Sequence, residues 1–401
     1  MTDNTLLKRQ MKVCNGNKAA AYGVRLCCPD IISFYPITPQ TPLLEYLYEW
    51  RSAGLLDTDF IEVEGEVSAM AAVCGASAAG ARTFTATCGA GLSFMFDSYL
   101  WPPALRLPVV MANVNREASP PVQVSAGNSD MMVVKDGGWI QIHVEENQEI
   151  LDTMIMAYRL AEDPEILLPV QVSYDGFVLS HLSQKVEIPA QSEVDTFLAP
   201  VRFVDRPKLD PDEGNTFASW VRGALLAEFY YKHLAAMERV KRKVYEVEEE
   251  FYKIFGRRYG GLIEEYRTED AEIVLIGYGS EVGSMKVVVD RKREEGMKIG
   301  LIKVRVFRPF PVEQIVNAVR GKKAIGVLEK NLCWGWNSGH LFMEMKAALS
   351  DLGSPIPMAD FLDGFGGLDV TLENVARSAD ITWQAAQGKP FEKVTWLPLE
   401  E

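Results

Sequence analysis

Apolar and polar residues alternate in blocks along the first half of the chain. Short, largely apolar runs predict buried strands at residues 31–35, 60–63, 107–113 and 166–172, and the Thr-rich residues 83–87 predict another strand. Residues 41–50 predict a helix, with Thr41 as a possible N-cap and Pro42 at the first helical position. Residues 66–81 are rich in Ala and Gly and predict a second helix that packs closely. Alternation of this kind predicts a parallel sheet covered by helices.

The middle of the chain has a different pattern. Residues 186–214 contain four prolines and many acidic residues, which indicates a linker or an extended arm. Residues 218–255 form a long, charged, helical stretch that could contain a break. Its clustered Lys, Arg and Glu residues are typical of a solvated helix face.

A second α/β unit begins near residue 271. Strands are predicted at residues 273–280, 299–304 and 324–328, with a helix at 281–295 that Gly296 ends. The Gly277-Tyr278-Gly279 turn does not complete a dinucleotide fingerprint, because position 282 is Val rather than Gly. We therefore divide the chain into residues 1–265, which include the linker and helical arm, and residues 266–401.

Composition narrows the choice of partners. The chain has 401 residues, of which 48% are hydrophobic, and a formal net charge of −14. That charge argues against nucleic acid and anionic membranes, which require clustered cations, but small anionic substrates need only a local cation. The polar amino terminus and the lack of an apolar run of about 18 residues predict a cytoplasmic protein without a signal peptide or membrane span.

Cysteine and histidine spacing argues against a metal centre on this chain. The six cysteines form no C-x-x-C pair, and the four histidines show no metal-ligand spacing. We expect free thiols, no iron–sulfur cluster and no metal ligand here. A serine nucleophile elbow, G-x-S-x-G, is also absent from the sequence.

Three side chains follow predicted strands, where parallel sheets bind ligands. Thr38 lies between two prolines in the Tyr35-Pro36-Ile37-Thr38-Pro39 turn, which is otherwise a rigid turn with an incidental hydroxyl. Glu66 begins the Ala-rich helix, where a carboxylate is often only a partner of the helix dipole.

Arg116 follows the strand predicted at residues 107–113. Its guanidinium can bind a carboxylate through two parallel hydrogen bonds. The alternative is a surface ion pair with Glu117 or another acid.

Together, five segments resemble pyruvate:ferredoxin oxidoreductase and its relatives. They are Y-P-I-T-P at residues 35–39, the Glu-to-Phe stretch with G-A-S-A-A-G-A-R-T at 66–84, R-L-P-V-V-M-A-N-V-N-R at 106–116, D-G-G-W-I-Q at 136–141 and V-R-V-F-R-P-F-P at 304–311. The segments cover most of the chain in the family's order. The resemblance is to the family's alpha-type subunit.

The resemblance implies an α/β fold with two domains. A thiamine-diphosphate-binding, pyrimidine-type parallel-sheet domain would occupy residues 1–265, and a transketolase-C-terminal-like domain residues 266–401. It also implies a beta-type partner that holds the diphosphate and Mg²⁺, a ferredoxin-like partner with iron–sulfur clusters, and a gamma-type subunit. This chain has no G-D-G…N diphosphate motif, which agrees with that division.

Residue roles follow from the matched positions. Glu66 would hydrogen-bond the cofactor's aminopyrimidine ring nitrogen and so activate the cofactor. Tyr35, Pro36 and Ile37 would line the cofactor, while Thr38 and Arg116 would hold the carboxylate and oxo group of a 2-oxoacid. The implied reaction is oxidative decarboxylation to acyl-coenzyme A and carbon dioxide, with electrons passed to the partner's clusters.

Departures from the family pattern leave the substrate open. Residues 127–130 read G-N-S-D instead of D-H-S-D or D-H-Q-D, and residues 88–91 read C-G-A-G instead of S-S-Q-G. The smaller loop could admit a bulkier substrate such as an aryl glyoxylate. Oxalate-specific relatives carry a cation where this chain has Thr38. Two further hypotheses stay open at this point: a non-catalytic scaffold, and a thiamine enzyme of the transketolase or dehydrogenase type.

Overall fold

The structure is a computed structural model that describes residues 6–118, 121, 123–202, 205–352 and 355–399. The strands of its first part are β1 (Gln10–Asn15), β2 (Ile31–Phe34), β3 (Asp59–Glu62), β4 (Thr83–Thr87), β5 (Val110–Asn115), β6 (Ile140–His143), β7 (Val170–Asp175) and β8 (Ser183–Ile188). Its helices are α1 (Gly16–Cys27), α2 (Thr41–Ser52), α3 (Glu66–Ala78), α4 (Gly89–Phe94), α5 (Phe96–Tyr99), α6 (Trp101–Leu105), α7 (Ser129–Val133), α8 (Asn147–Ala161), α9 (Gln191–Arg202) and α10 (Ala224–Phe255).

The second part repeats the alternation of strand and helix. Its strands are β9 (Ile263–Tyr266), β10 (Ile273–Gly277), β11 (Ile299–Val304), β12 (Val306–Arg308), β13 (Ala324–Glu329), β14 (Met358–Leu362) and β15 (Val394–Trp396). Its helices are α11 (Glu281–Glu294), α12 (Val312–Val319), α13 (His340–Ala348) and α14 (Leu372–Ala386).

Two largely parallel sheets organise these elements. The first has the order β12-β6-β7-β5-β4-β2-β3, and the second has the order β15-β14-β13-β10-β11-β9. Buried apolar side chains pack against both faces of each sheet, so helices cover every face. This confirms the predicted α/β class with a parallel sheet in each part. No helix within the described ranges is both long enough and apolar enough to cross a membrane.

One strand of the second part joins the sheet of the first. β12 belongs to the second part by sequence, but it pairs antiparallel with β6 at the edge of the first sheet. β9 pairs antiparallel with β11 in the second sheet, and the division predicted after residue 265 falls within this strand. The second part therefore extends the first sheet at its edge, and the division itself stays a prediction.

Most predicted strands coincide with observed ones, and the differences have local causes. β4 and β11 span the residues predicted for them. β5 and β7 start later than predicted, because Pro108 and Pro169 lack the N–H that a sheet ladder requires. Thr41 is the first residue of α2 rather than its N-cap, a position that Gln40 takes.

The linker prediction for residues 186–214 is wrong over its first half. β8 pairs antiparallel with β1, and α9 follows directly. The buried side chains of α9 recur at helical spacing, at Val194, Phe197, Leu198 and Val201. That apolar stripe packs against α1, α8 and α10, which outweighs the unfavourable effect of Pro200 near the helix end. The predicted long helix is correct but unbroken, since α10 runs for 32 residues.

Candidate active site at the carboxyl edge of the first sheet

Four neighbouring strands of the first sheet bring the predicted site residues to one edge. β5, β4, β2 and β3 are adjacent and parallel, so their carboxyl ends meet. Residues 35–39 follow β2, Glu66 follows β3, residues 88–91 follow β4 and Arg116 follows β5. The sheet order thus gathers Thr38, Glu66 and Arg116, which lie far apart in the sequence.

Glu66 is the first residue of α3, and only 7% of it is exposed. Its carboxylate lies against Gly91, where a Cβ atom would stand 2.6 Å from Glu66 Oε1 and 2.6 Å from Thr87 Oγ1. Gly91 is therefore required by the close approach of the carboxylate. Within the described ranges, no protein donor is hydrogen-bonded to the Glu66 carboxylate, so it stays available to a ligand.

Arg116 reaches across the sheet edge towards Thr38. Its Nη1 donates to the backbone oxygen of Thr38 over 2.5 Å, and its Nε is buried without a partner. The Thr38 hydroxyl group belongs to an exposed residue at the same edge. The Arg116 guanidinium and the backbone of Thr38 are thus in direct contact at this edge.

Glu117 does not pair with Arg116. Its carboxylate accepts a hydrogen bond from Ser129 Oγ and a second, of 3.4 Å, from the backbone N–H of Gly366 in the second domain. No carboxylate of the described residues forms an ion pair with Arg116. The surface ion-pair alternative for Arg116 is therefore wrong.

Asp130 holds two of the strand ends in place, and sequence reasoning missed it. Its buried carboxylate accepts hydrogen bonds from Gly89 N at 2.9 Å, Asn115 Nδ2 at 3.0 Å, Arg116 N at 3.2 Å and Met131 N at 2.7 Å. Burial raises the pKa of Asp130 to about 6, although these hydrogen bonds oppose part of the rise. In the sequence, G-N-S-D at residues 127–130 is only a departure from the family pattern. In the structure, the aspartate of this segment, Asp130, joins the ends of β4 and β5.

Gly89 is the second residue that the sequence does not single out. Its φ is +50°, and a Cβ atom there would stand 2.3 Å from Arg116 Nε and 2.5 Å from Arg116 Cγ. The Arg116 side chain therefore lies directly over the Gly89 backbone. The small residues of the 88–91 loop thus make room for the protein's own Arg116 and Glu66.

Cys88 precedes that glycine and faces the Thr38 turn. Its Sγ donates to the backbone oxygen of Thr38 over 3.2 Å, and burial raises the pKa of the thiol above its usual range. The thiol is thus protonated and fixes the turn rather than acting as a nucleophile. Among the predicted cofactor-lining residues, Tyr35 and Pro36 are exposed at this edge and Ile37 is partly buried.

The geometry of the edge fits the aminopyrimidine half of thiamine diphosphate. Glu66 offers a carboxylate oxygen with no protein donor among the described residues, and Gly89 and Gly91 allow the Arg116 and Glu66 side chains to lie close to the loop backbone. Arg116 offers a cation for a substrate carboxylate. In the described part of the chain, no group of three or more His, Cys, Asp or Glu residues could hold a metal ion.

Comparisons with known proteins agree with both domains. Residues 22–249 match the family model "Pyruvate flavodoxin/ferredoxin oxidoreductase, thiamine diP-bdg", and residues 271–375 match "Pyruvate:ferredoxin oxidoreductase core domain II". The chain is 40% identical over 395 residues to pyruvate synthase subunit PorA of Methanosarcina barkeri, covering 98% of both chains. It is 39% identical to the alpha subunit of NADH-dependent phenylglyoxylate dehydrogenase of Aromatoleum evansii, covering 97% of this chain and 95% of that one.

Solved structures show the same fold at lower identity. A 2-oxoglutarate:ferredoxin oxidoreductase from Magnetococcus marinus superimposes with a TM-score of 0.72 at 20% identity, covering 94% of this chain and 65% of that one. A split-gene transketolase superimposes with a TM-score of 0.55 at 13% identity, covering 94% of this chain and 100% of that one. These likenesses confirm the expected thiamine-binding and transketolase-C-terminal-like domains. On these matches, the chain belongs to the pyruvate:ferredoxin oxidoreductase family, as an alpha-type subunit of a 2-oxoacid:ferredoxin oxidoreductase.

Proposed function

We propose that this chain supplies the pyrimidine side of the active site in a complex that oxidatively decarboxylates a 2-oxoacid. In the overall reaction, the carbon–carbon bond to the carboxylate breaks and carbon dioxide leaves. The acyl group forms a thioester with coenzyme A, and an electron pair passes to iron–sulfur clusters of partner subunits. The buried Glu66 carboxylate, beside Gly91 and free of donors from the described residues, is the observation that carries the proposal.

Each site residue has a distinct task in this proposal. Thiamine diphosphate, when bound, would supply a nucleophilic carbon for the oxo group and take up the electron pair that the departing carbon dioxide leaves behind. Glu66 accepts a hydrogen bond from the aminopyrimidine ring nitrogen, and Tyr35, Pro36 and Ile37 line its approach. Arg116 binds the substrate carboxylate, and Thr38 donates its hydroxyl hydrogen to the oxo group. Asp130 accepts hydrogen bonds from the backbone N–H groups of Gly89 and Arg116 and so fixes their positions relative to each other.

The proposal assigns the rest of the cofactor to other subunits. A beta-type subunit holds the diphosphate and Mg²⁺, a ferredoxin-like subunit carries the clusters, and a gamma-type subunit completes the complex. The sequence supports this division, because it lacks a diphosphate motif and grouped cysteines. The cytoplasm is the proposed compartment, consistent with a net charge of −14 and with free thiols.

Calorimetry on the isolated chain tests the division of the cofactor site. We expect no detectable binding of thiamine diphosphate in the presence of Mg²⁺, and binding once the beta-type subunit is added. Micromolar binding to the isolated chain would contradict the proposal. Reduction of a viologen dye by the complex, dependent on both a 2-oxoacid and coenzyme A, tests the reaction. Turnover without an electron acceptor would favour an enzyme of the transketolase type.

An aryl glyoxylate is the second candidate substrate. Its support is the small 88–91 loop and a relative whose name includes phenylglyoxylate, while the other relative is a pyruvate synthase subunit. The side chains of Arg116 and Glu66 already occupy the space beside Gly89 and Gly91. The small residues of the loop therefore leave less room for a substrate than the sequence indicates. A comparison of kcat/KM for pyruvate, phenylglyoxylate and oxalate decides the substrate class. The neutral Thr38 argues against oxalate.

A further inference from the structure

The first turns of α10 project from the body of the protein. Residues 222–232 are all exposed, and continuous burial of the helix begins only at Ala236. At a rise of 1.5 Å per residue, the nine helical residues 224–232 extend for about 13 Å. We call this segment the α10 arm. Because its side chains are exposed, packing against its own domain stabilises it little.

The α10 arm is apolar although it is exposed. Leu225, Leu226, Phe229 and Tyr230 recur at positions i, i+1, i+4 and i+5, which places them on one helix face. Tyr231, with 73% of its surface exposed, lies on the other side of the helix and is not part of that face. Contiguous apolar surface of this kind on a soluble protein marks a site of protein–protein contact.

The exposed face of the arm supplies about half of the area that a stable interface needs. Its two aromatic and two leucine side chains expose on the order of 400 Å² of largely apolar surface. Each partner in a stable interface buries about 800 Å². The arm therefore needs a contribution from neighbouring surface, and α4, α5 and α6 provide it through Phe94, Phe96, Leu100 and Trp101, all at least 37% exposed.

The helices α4–α6 connect the arm with the candidate active site. Phe94 lies 3.4 Å from where a Cβ atom of Gly65 would stand, and Gly65 directly precedes Glu66. At the other end, the backbone oxygen of Pro103 in α6 lies 3.3 Å from His233 Nδ1, at the point where the arm leaves the body. The segment that carries Phe94, Phe96, Leu100 and Trp101 thus lies between Glu66 and the arm.

We propose that the α10 arm docks into the subunit that holds the cofactor's diphosphate and Mg²⁺, as an anchor beside the shared site. This inference rests on the proposed function, which requires that subunit to close over Glu66. The position of α4–α6 between the arm and the site edge identifies this occupant. A second copy of the chain fits less well, because two chains of net charge −14 repel each other.

The test measures the affinity between this chain and the purified diphosphate-binding subunit. The variant carries Phe229→Glu and Tyr230→Glu, and the matched control carries Tyr252→Glu, an exposed tyrosine on the half of α10 that packs on the body. We expect the double variant to bind at least 100-fold more weakly and the control to stay within twofold of wild type. Thermal unfolding of the free chain should be unchanged, because the exposed side chains of the arm add little to the packing of their own domain.

Each outcome decides the proposal. Equal affinity of wild type and double variant would overturn it. Loss of a dimer of the free chain, with binding of the other subunit unchanged, would assign the arm to a second copy and also overturn it. Turnover of the wild-type complex is measured separately with a 2-oxoacid and a viologen dye. If that turnover fails while the double variant still loses affinity, the anchor stands and the proposed function falls.

Discussion

Both sheets collect polar side chains at the carboxyl ends of their strands, but the two edges use them differently. At the first edge, Glu66 has no donor within the described ranges, and Arg116 Nε is buried without a partner. At the second edge, Lys330 pairs with Asp175 at 2.7 Å and with Glu281 at 2.7 Å, and all three residues are at most 3% exposed. The first edge leaves the charges of Glu66 and Arg116 without an ion-pair partner among the described residues, whereas the second pairs its charges with one another, although the Glu281 oxygens have no hydrogen-bond partner of good geometry.

The carboxylate of Glu329, at the end of β13, is also hydrogen-bonded within the protein. Glu329 accepts hydrogen bonds of 2.8 Å from the backbone N–H groups of Leu341 and Phe342, at the start of α13. Burial, together with the nearby charge of Asp360, raises the pKa of Glu329 well above its usual range. Paired polar groups at a strand end thus stabilise the fold, and unpaired ones indicate a ligand site.

The same ion-paired group reaches the G-x-G turn after β10. Ser280 N donates to Asp175 Oδ2 over 3.1 Å, so the end of the first sheet's β7 occupies that turn. Burial opposes the charge of Lys330, but Asp175 and Glu281 outweigh it and raise the pKa of the lysine. The ion pairs of Lys330 with Asp175 and Glu281 therefore join the two domains at the second edge, and we call these three residues the lock.

The largest effect is expected at the open edge. Glu66→Gln should reduce turnover by about 10²–10⁴-fold, because an amide cannot replace a carboxylate as a proton acceptor. Proton exchange at the cofactor's reactive carbon, measured in the assembled complex, should fall in parallel. The control is Glu64→Gln, an exposed acid two residues away. Exchange at the wild-type rate in Glu66→Gln would exclude Glu66 from cofactor activation.

Removing a partner from the lock should affect stability rather than chemistry. Lys330→Met leaves two buried carboxylates without a cation and should lower the free energy of unfolding by about 3–5 kcal/mol at pH 8. The control, Lys323→Met, breaks an exposed pair with Glu272 and should change it by no more than about 1 kcal/mol. Urea unfolding measures both. Similar losses in the two variants would contradict the distinction between the edges.

Arg116→Ala should weaken kcat/KM by about 10- to 150-fold for every accepted 2-oxoacid. The reason is the loss of a charge-assisted hydrogen bond worth roughly 1.5–3 kcal/mol. Arg116→Lys should restore only part of this, because a point charge lacks the bidentate fork. Proton exchange at the cofactor without substrate should be nearly unchanged. An unaltered kcat/KM in Arg116→Ala would remove this residue from the substrate site.

The smallest effect concerns pH at the lock. Burial raises the pKa of Glu281 from 4.5 to about 7, so the folded state binds a proton that the unfolded state releases. Stability from this group is present below pH 4.5 and is lost as pH rises through 7. The stability of Glu281→Gln relative to wild type should therefore increase by about 1–3 kcal/mol between pH 5 and pH 8. Urea unfolding at both pH values checks this, and a constant difference would contradict it.

Local patterns are sufficient to predict many elements and the strand ends at which the candidate site residues lie. β4 and β11 match their predicted residues because short runs rich in β-branched and aromatic residues, with turn residues at their ends, specify a strand locally. Thr38, Glu66 and Arg116 follow strands, and their positions rest on the same local patterns. By contrast, sequence reasoning misses α9 because the four prolines of residues 186–214, one of them inside the helix, obscure an apolar stripe of helical period.

The sequence by itself determined the family, the two α/β units and which residues follow each strand. Only the tertiary structure decided which of those residues meet, because strand order depends on contacts between distant residues. Asp130 joins Gly89 across 41 positions, and Asp175 meets Lys330 across 155. No local pattern reports such a contact, since burial and hydrogen-bond partners depend on the packing of the whole chain. For the same reason, only the structure separates an open edge that can bind a ligand from an edge that is closed on itself.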